Sequence, residues 1–554
     1  MTSTGPEMRA GGEPGGAAPV GAPAGPGVWA PLLRPVFRWL WVAQLAANLA
    51  TWMQTVAAQW VLTESDSGAA LVALVQTAIS LPVFLFALPA GVLADLVDRR
   101  RLLLVTQLAM AVVAAVLTVS AAAGGLTPWV LLGLTFALGC GTALTITTWQ
   151  AVQPELVPRT EIPSAAALVG ININTARSVG PALGGAVVAA AGPAWVFALN
   201  TAAFLAAAVI VAGWRPREDA VRRAAERLGA AMRAGIGYVR YAPALRRVLL
   251  RTALWAIPAS ALWALLPVVA AERLGLGPDG YGLLLGALGV GAVLGAVALA
   301  PLRQRLPANL FLLGASLVYA TVTLMLALGR QPVLMAVVLP AAGAAWTNVL
   351  AILNANVLLV LPRWVRARAV AFFLVVFQGG MALGSAAWGA LADLWTTPAA
   401  LVAAAVALAA AGLSALTIGL RDTRHLDPSP SAHWPEPRLA LEPDPAAGPV
   451  LITVEYRVPA ENAAAFVAAM RRVANSRRRT GGRRWGLYQD GADPERFLET
   501  YLVSSWGEHL LQHAARLTVS DRAAEDAARS LTSQAPVVSH LFVPTEEGES
   551  AAGR

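Results

Sequence analysis

Gly91-Val92-Leu93-Ala94-Asp95-Leu96-Val97-Asp98-Arg99-Arg100-Arg101 is the stretch that decides how this chain is read. The twenty residues before Gly91 carry no charge, and neither do the twenty after Arg101. Each flanking run is long enough to cross the ~30 Å hydrocarbon core of a bilayer as a helix. Two membrane-length segments therefore meet at a short, highly charged turn. Gly91 permits close helix approach, Asp95 sits near the end of the incoming helix, and the three arginines after Asp98 hold the turn on the cytoplasmic side. Anchoring alone explains the arginines. A latch, in which Asp95 pairs with a charge or caps a neighbouring helix in one conformational state, would also explain the aspartate.

Composition carries the same message across 554 residues. Hydrophobic residues make up 57% and charged residues 13%, against about a quarter charged in a soluble protein. The apolar blocks are continuous and do not alternate with period two, so the class is all-α and polytopic, not a barrel. The formal charge of +9 does not point to nucleic acid, because the arginines sit in loops between apolar segments, where they orient the chain. Lysine is absent, which reads as compositional bias. Cys140 is the single cysteine, so neither an intrachain disulfide nor a cysteine metal cluster can form.

Residues 1–32 are rich in Gly, Pro and Ala and read as a disordered tail with no cleavable signal peptide. Helices are expected at about 37–62, 68–94, 102–123, 128–153, 163–189 and 193–213, forming one bundle over 33–213. A charged, amphipathic cytoplasmic linker follows at 214–247. Six further helices are expected at about 248–271, 280–301, 307–328, 332–360, 369–391 and 398–420, forming a second bundle over 248–421. Alternate loops hold the arginines, so both termini are expected on the cytoplasmic side of the cell inner membrane. The halves echo one another, as in transporters built from repeats around a central cavity.

Polar and aromatic residues inside apolar helices mark the candidate cavity, with helix–helix hydrogen bonding as the competing role. Asn48, Trp52 and Gln59 share one helix face. Trp149 and Gln150 end the fourth helix, and Glu155 just beyond is placed to pair with Arg159. Arg177 lies deep in the fifth helix, the best candidate to bind an anionic group or act as a charge switch. It is followed by Gly180-Pro181 and Gly184-Gly185, which permit close packing and a bend. Trp346, Thr347, Asn348 and Asn354 would line the opposite wall.

On these residues the chain resembles the major facilitator superfamily. Gly91, Asp95, Arg99 and Arg101 match its signature between helices two and three, with Leu96 and Arg100 departing from the commonest form. Gly180-Pro181 with Gly184-Gly185 looks like the helix-five motif of its proton-coupled exporters. More narrowly, residues 33–420 resemble the enterobactin-exporter-like, transmembrane secretion effector branch. That resemblance implies a twelve-helix fold of two six-helix bundles and proton-driven export of a siderophore, drug or other small metabolite. Coupling requires a titratable group in the pathway. The middle of helix one has none, which leaves Asp95, Glu155 and Arg177, with Glu272 and Asp393 near helix ends. No Walker-type loop is present, so ATP-driven transport is disfavoured. No cofactor is implied.

The carboxyl-terminal part has a different texture. Residues 422–447 read as a Pro-rich linker, 448–545 as a strand, helix, two strands, helix and strand, and 546–554 as a tail. That order is the α+β ferredoxin-like plait. The domain resembles antibiotic-biosynthesis-monooxygenase-like domains, which are commonly dimeric, so dimerisation through this domain is expected. His509 and His513 are four apart on a helix, but no third ligand stands at a convincing spacing, so no metal site is expected. A regulatory or oligomerising role is favoured. A catalytic tail fused to a transporter, or a membrane scaffold or sensor without turnover, are the rival readings.

Overall fold

A computed structural model describes residues 27–65, 67–215, 238, 240–362, 364–420, 429, 431, 439 and 443–543. The expected amino-terminal tail up to residue 26, the amphipathic stretch at 216–237, most of the Pro-rich linker and residues 544–554 lie outside the described residues. Twelve long helices are present among the described residues: α1 (Pro35–Glu64), α2 (Gly68–Leu96), α3 (Arg99–Ala122), α4 (Pro128–Val152), α5 (Ile162–Ala191), α6 (Pro193–Gly213), α7 (Pro243–Val268), α8 (Pro278–Ala298), α9 (Ala308–Leu328), α10 (Pro332–Val360), α11 (Arg366–Leu394) and α12 (Thr397–Leu413). Six of them open on proline. Its fixed φ suits the first helical turn, and its missing N–H would have had no partner there anyway.

Among the described residues, nine helices are long and apolar enough to cross a membrane, and the protein is a multi-pass membrane protein. α1 and α5 are 30 residues each and are not among the nine. They carry Gln44, Asn48, Gln54 and Gln59, and Asn172, Asn174 and Arg177 respectively, which dilute their apolar character. α12 is apolar but has 17 residues.

The charged turn is shorter than expected. α2 runs on to Leu96 because nothing in Gly91–Leu96 breaks a helix, and only Val97 and Asp98 separate it from α3. Asp98 caps α3 by accepting the Arg101 N–H at 2.7 Å. The three arginines thus lie in the first turn of α3. α7 starts at Pro243, earlier than expected, and α12 ends at Leu413, also earlier than expected.

The pairing of helices repeats after six. α1 packs on α5 and α6, as α7 packs on α11 and α12. α2 packs on α4 as α8 does on α10, and α3 meets α4 and α6 as α9 meets α10 and α12. The halves join through α2 with α11 and α5 with α8, a pair that the same shift exchanges. Small residues set the distances. A Cβ on Gly343 of α10 would lie 1.8 Å from the Leu288 carbonyl oxygen of α8, and one on Gly291 of α8 would lie 2.0 Å from that of Pro340. Gly343→Ala is therefore expected to destabilise the second half by about 1–3 kcal/mol, read as a lower midpoint in a detergent thermal melt.

The carboxyl-terminal domain contains β1 (Val450–Arg457), α13 (Ala463–Thr480), β2 (Arg483–Gln489), β3 (Arg496–Val503), α14 (Trp506–Leu511), α15 (Val519–Arg529) and β4 (Val537–Phe542). The sheet order is β2-β3-β1-β4, antiparallel throughout. β1 alternates buried and half-buried residues, and Val450, Ile452, Val454 and Tyr456 pack with Phe466 and Met470 of α13. Arg477, Arg478 and Arg479 belong to the last turn of α13. The domain lies against the ends of α7 and α11. The Arg478 guanidinium is 5.5 Å from the Tyr241 ring, and that of Arg516 is 5.0 Å from the Trp364 ring. This end of the helices is termed the tail face below, and the opposite end the far face.

Candidate functional site

Arg177 lies midway along α5, where the two halves meet. Its Nη2 donates to Asn174 Oδ1 at 2.8 Å and, across the divide, to Thr347 Oγ1 of α10 at 3.1 Å. Its Nε is buried without an acceptor. Both described partners are neutral. A guanidinium held in a membrane helix without a carboxylate is an unfavourable arrangement that an incoming anion would relieve.

Beside Thr347, Trp346 sits at the hub of an aromatic cluster. Ring centroids of Trp255 and Trp263 lie 5.0 and 5.1 Å away, Phe377 5.9 Å and Tyr319 6.1 Å. Trp52 of α1 joins through Trp263 at 5.9 Å. Trp255, Trp263, Tyr319 and Trp346 are buried, so this is a packed aromatic cluster, adjoining on α10 the Thr347 that Arg177 reaches. Trp255 and Trp263, eight residues apart on one face of α7, were the legible signal for this half of the cluster. The sequence reading missed them, along with Tyr281, Tyr319 and Phe377.

The remaining expected cavity residues are placed differently. Asn48 donates to Asn172 Oδ1 at 2.8 Å and accepts from Gln44 at 3.0 Å, while Asn172 donates to the Trp41 carbonyl at 3.0 Å, a chain that ties α1 to α5. Gln59 is buried between the halves, donating to the Trp263 carbonyl at 3.3 Å and accepting from the Tyr281 hydroxyl. Trp149 packs inside the first bundle against Leu40, Leu103, Val211 and Trp214. Asn348 is buried against α8, donating to the Gly295 carbonyl at 2.9 Å, and also accepts from Arg303 at 3.2 Å. Gln150 and Asn354 are exposed. For Asn48, Gln59, Trp149 and Asn348, neighbouring polar groups or apolar side chains claim the helix face that spacing picks out.

The motif residues divide similarly. The side chains at Gly91 and Asp95 lie outside the described residues. Arg99 pairs with Glu155, which corrects the expected Glu155–Arg159 pair. Arg100 donates to the Val211 and Ala212 carbonyls at the end of α6. The α5 glycines serve two surfaces. A Cβ on Gly180 or Gly184 would lie 2.7 Å from Trp52 Cβ or Met53 Cα of α1, and one on Gly185 would lie 2.3 Å from the Pro278 carbonyl of α8. Pro181 presents its carbonyl to Gly282 on the same α5–α8 surface. The described hydrogen bonds that cross the divide at Gln59–Tyr281, Thr77–Ala382, Ala69–Asp393 and Arg177–Thr347 lie between the middle and the far face.

In the carboxyl-terminal domain, His509 and His513 are joined by His540 of β4, thirty-one residues further on. His509 is fully buried, and its Nε2 lies 3.0 Å from Nε2 of both others. Gln512 donates to Thr480 Oγ1 at 2.7 Å, which turns its carbonyl oxygen towards His509 Nδ1 at 3.3 Å. Among the described residues no cluster has the arrangement to hold a metal ion. Burial, with the charges of His513 and His540, pushes His509 down to about 2, so it is neutral in the folded domain. Unfolded, it would titrate near 6.5. The stability it contributes is therefore complete above pH ~6.5 and is lost as pH falls below that, by about 2 kcal/mol at pH 5. Hydrogen exchange of these segments is expected to show faster opening at pH 5 than at pH 7, with a smaller difference in His509→Gln.

Comparison with known proteins agrees with this architecture. Residues 26–547, which include the carboxyl-terminal sheet, match the MFS_3 family, described as transmembrane secretion effector. Over 198 residues the chain is 27% identical to the "uncharacterized MFS-type transporter YfiS" of Bacillus subtilis (strain 168), spanning 34% of this chain and 46% of that protein. The chain thus matches about half the length of this relative. Similar solved structures include a mutant of the nucleoside transporter NupG, with a TM-score of 0.58 and 11% identity over 69% of this chain and 99% of that one. A bacterial homologue of the human lysosomal transporter Spinster, inward-facing and unoccupied, gives 0.53 and 14% over 69% and 95%. A POT family transporter in complex with a thioalcohol-conjugated peptide gives 0.55 and 9% over 69% and 95%. At these identities the likeness is one of fold. The chain belongs to the MFS_3 family, the transmembrane secretion effectors.

Proposed function

We propose that the protein is a secondary active transporter that exports a small amphipathic metabolite, siderophore or drug by alternating access. The helix pairing that repeats after six carries this reading, because two equivalent bundles can rock about a central site. In this reading all twelve helices span the cytoplasmic membrane, α1 and α5 turning their amides and Arg177 inward, and both termini are cytoplasmic. The family description favours export. Trp52, Trp346, Arg177 and Thr347 hold the substrate, and the bond from Arg177 to Thr347 breaks as the bundles part. Protons drive the cycle, with Asp95, Glu155 and Arg177 as coupling candidates.

The carboxyl-terminal domain is read as a monooxygenase-like module that regulates or pairs the transporter. Leu451 stands opposite Leu502 and Leu541 in the sheet, on the face turned away from α13, and Leu541 is 50% exposed. A second copy of that face would cover them. Proteoliposomes with an imposed pH gradient and a panel of siderophores and hydrophobic drugs test the function. Gradient-dependent flux is expected. Equal flux without the gradient would remove the proton coupling.

A further inference from the structure

The far face carries a carboxylate that the transport reading leaves unused. α2 begins at Gly68, and Ser67 before it makes no side-chain cap. The first N–H groups of a helix need acceptors, which a local Ser, Thr, Asp or Asn normally supplies at the second or third position. Here the acceptor comes from the other bundle. Asp393, next to last in α11, accepts the Ala69 N–H at 2.7 Å and the Ala70 N–H at 3.3 Å. Those are the two donors a local cap would take, and a negative charge is favoured at a helix amino terminus.

The backbone around this contact is shaped to allow it. Gly68 has φ +78°, and a Cβ there would lie 3.1 Å from Asp393 Oδ2. Gly389, one turn before Asp393, lets α11 come close. A Cβ on it would be 2.5 Å from Ala73 Cβ and 3.0 Å from Ala70 Cα. The sequence repeats the device. Gly389-Ala390-Leu391-Ala392-Asp393-Leu394 ends α11, and Gly91-Val92-Leu93-Ala94-Asp95-Leu96 ends α2, with five of six residues identical. α2 and α11 are partners across the divide and run in opposite directions, since Ala69 meets Asp393 while Thr77 meets Ala382. One hexapeptide therefore stands at each face of the same helix pair.

We propose that Asp393 is the far-face latch, its carboxylate holding the two bundles together by capping α2 across the divide and letting go when that face opens. This rests on the alternating-access reading, since a contact that spans the two bundles at their far end must break for that face to open. A merely structural role, in which Asp393 stabilises α2 with no bearing on opening, makes a different prediction.

The test is electron–electron resonance distance measurement on the full chain in a Cys140→Ser background. Spin labels at Gly125 and Arg330 place one on the far-face loop of each bundle. In the parent, short distances should dominate. Asp393→Ala, which removes the acceptor, is expected to lower the closed-to-open ratio about fivefold to tenfold, the usual cost of losing a cap. Ser67→Asp, which leaves Asp393 intact but gives α2 its own cap, should produce the same shift by displacing Asp393. Combining the two should restore the thermal midpoint while the far face stays open. Parent-like distances in either single variant would overturn the latch. So would closed distances regained in the double variant, because Asp393 would then serve only as a cap. The readout needs no substrate, so the two readings fail separately. Shifted distances with no compound transported would leave the latch and remove the transporter, and flux with unshifted distances would do the reverse.

Discussion

Arg177→Gln is expected to lower substrate flux about 10- to 100-fold while leaving the protein folded. The guanidinium donates to neutral Asn174 and Thr347, and its Nε is buried without an acceptor. An anionic group reaching it gains a charged hydrogen bond of about 1.5–3 kcal/mol, which is the origin of the expected factor. Glutamine removes an unneutralised buried charge, so the thermal midpoint should hold or rise. Arg177→Lys keeps the charge but loses the planar fork, and should retain part of the flux. Undiminished flux in Arg177→Gln would reduce the residue to a structural bridge between α5 and α10.

A second large effect is expected in the carboxyl-terminal domain. Arg477 is buried, with Nε 3.2 Å from Glu499 and Nη1 2.6 Å from Glu525. Glu499 also accepts from Tyr456 at 2.9 Å and Trp485 at 2.8 Å. Arg477→Met would remove the cation that buried Glu499 and Glu525 share, Glu525 keeping Arg529 at 3.7 Å, at a cost of about 3–5 kcal/mol. Hydrogen exchange should show the sheet and α13 opening while α1–α12 keep their protection. Adding Glu499→Gln and Glu525→Gln removes the two carboxylate charges and should recover part of the loss. Unchanged exchange in Arg477→Met would mean that water reaches this network.

The contrast between these residues shows what a sequence reading reaches. Arg177 was legible because a lone charge inside an apolar helix has few tolerable places to go. Arg477 was not, because three consecutive arginines before Gly481-Gly482 look like a solvated turn, and its two acidic partners come from β3 and α15. The helices were legible for a comparable reason: apolar length and alternating arginines are set by the bilayer, whatever the packing. Trp149 and Trp346 have similar local surroundings, yet only Trp346 reaches the centre, since which helix face turns inward is decided by neighbours. Glu155 meets Arg99, and His509 meets His540, across separations that spacing along one helix cannot reveal. Asp393 looked like an unremarkable helix end until α2 was seen to lack a cap of its own.

The central claim is that two bundles rock about Arg177 and the adjoining aromatic cluster. The measurement that tests it most directly is a pair of distances on one protein before and after substrate: Gly125–Arg330 across the far face, and Thr160–Gln304 across the tail face, all four exposed or half-exposed. The account predicts that the first lengthens as the second shortens. If substrate crosses the membrane while both distances stay fixed, or while both lengthen together, the bundles do not alternate and the account is contradicted.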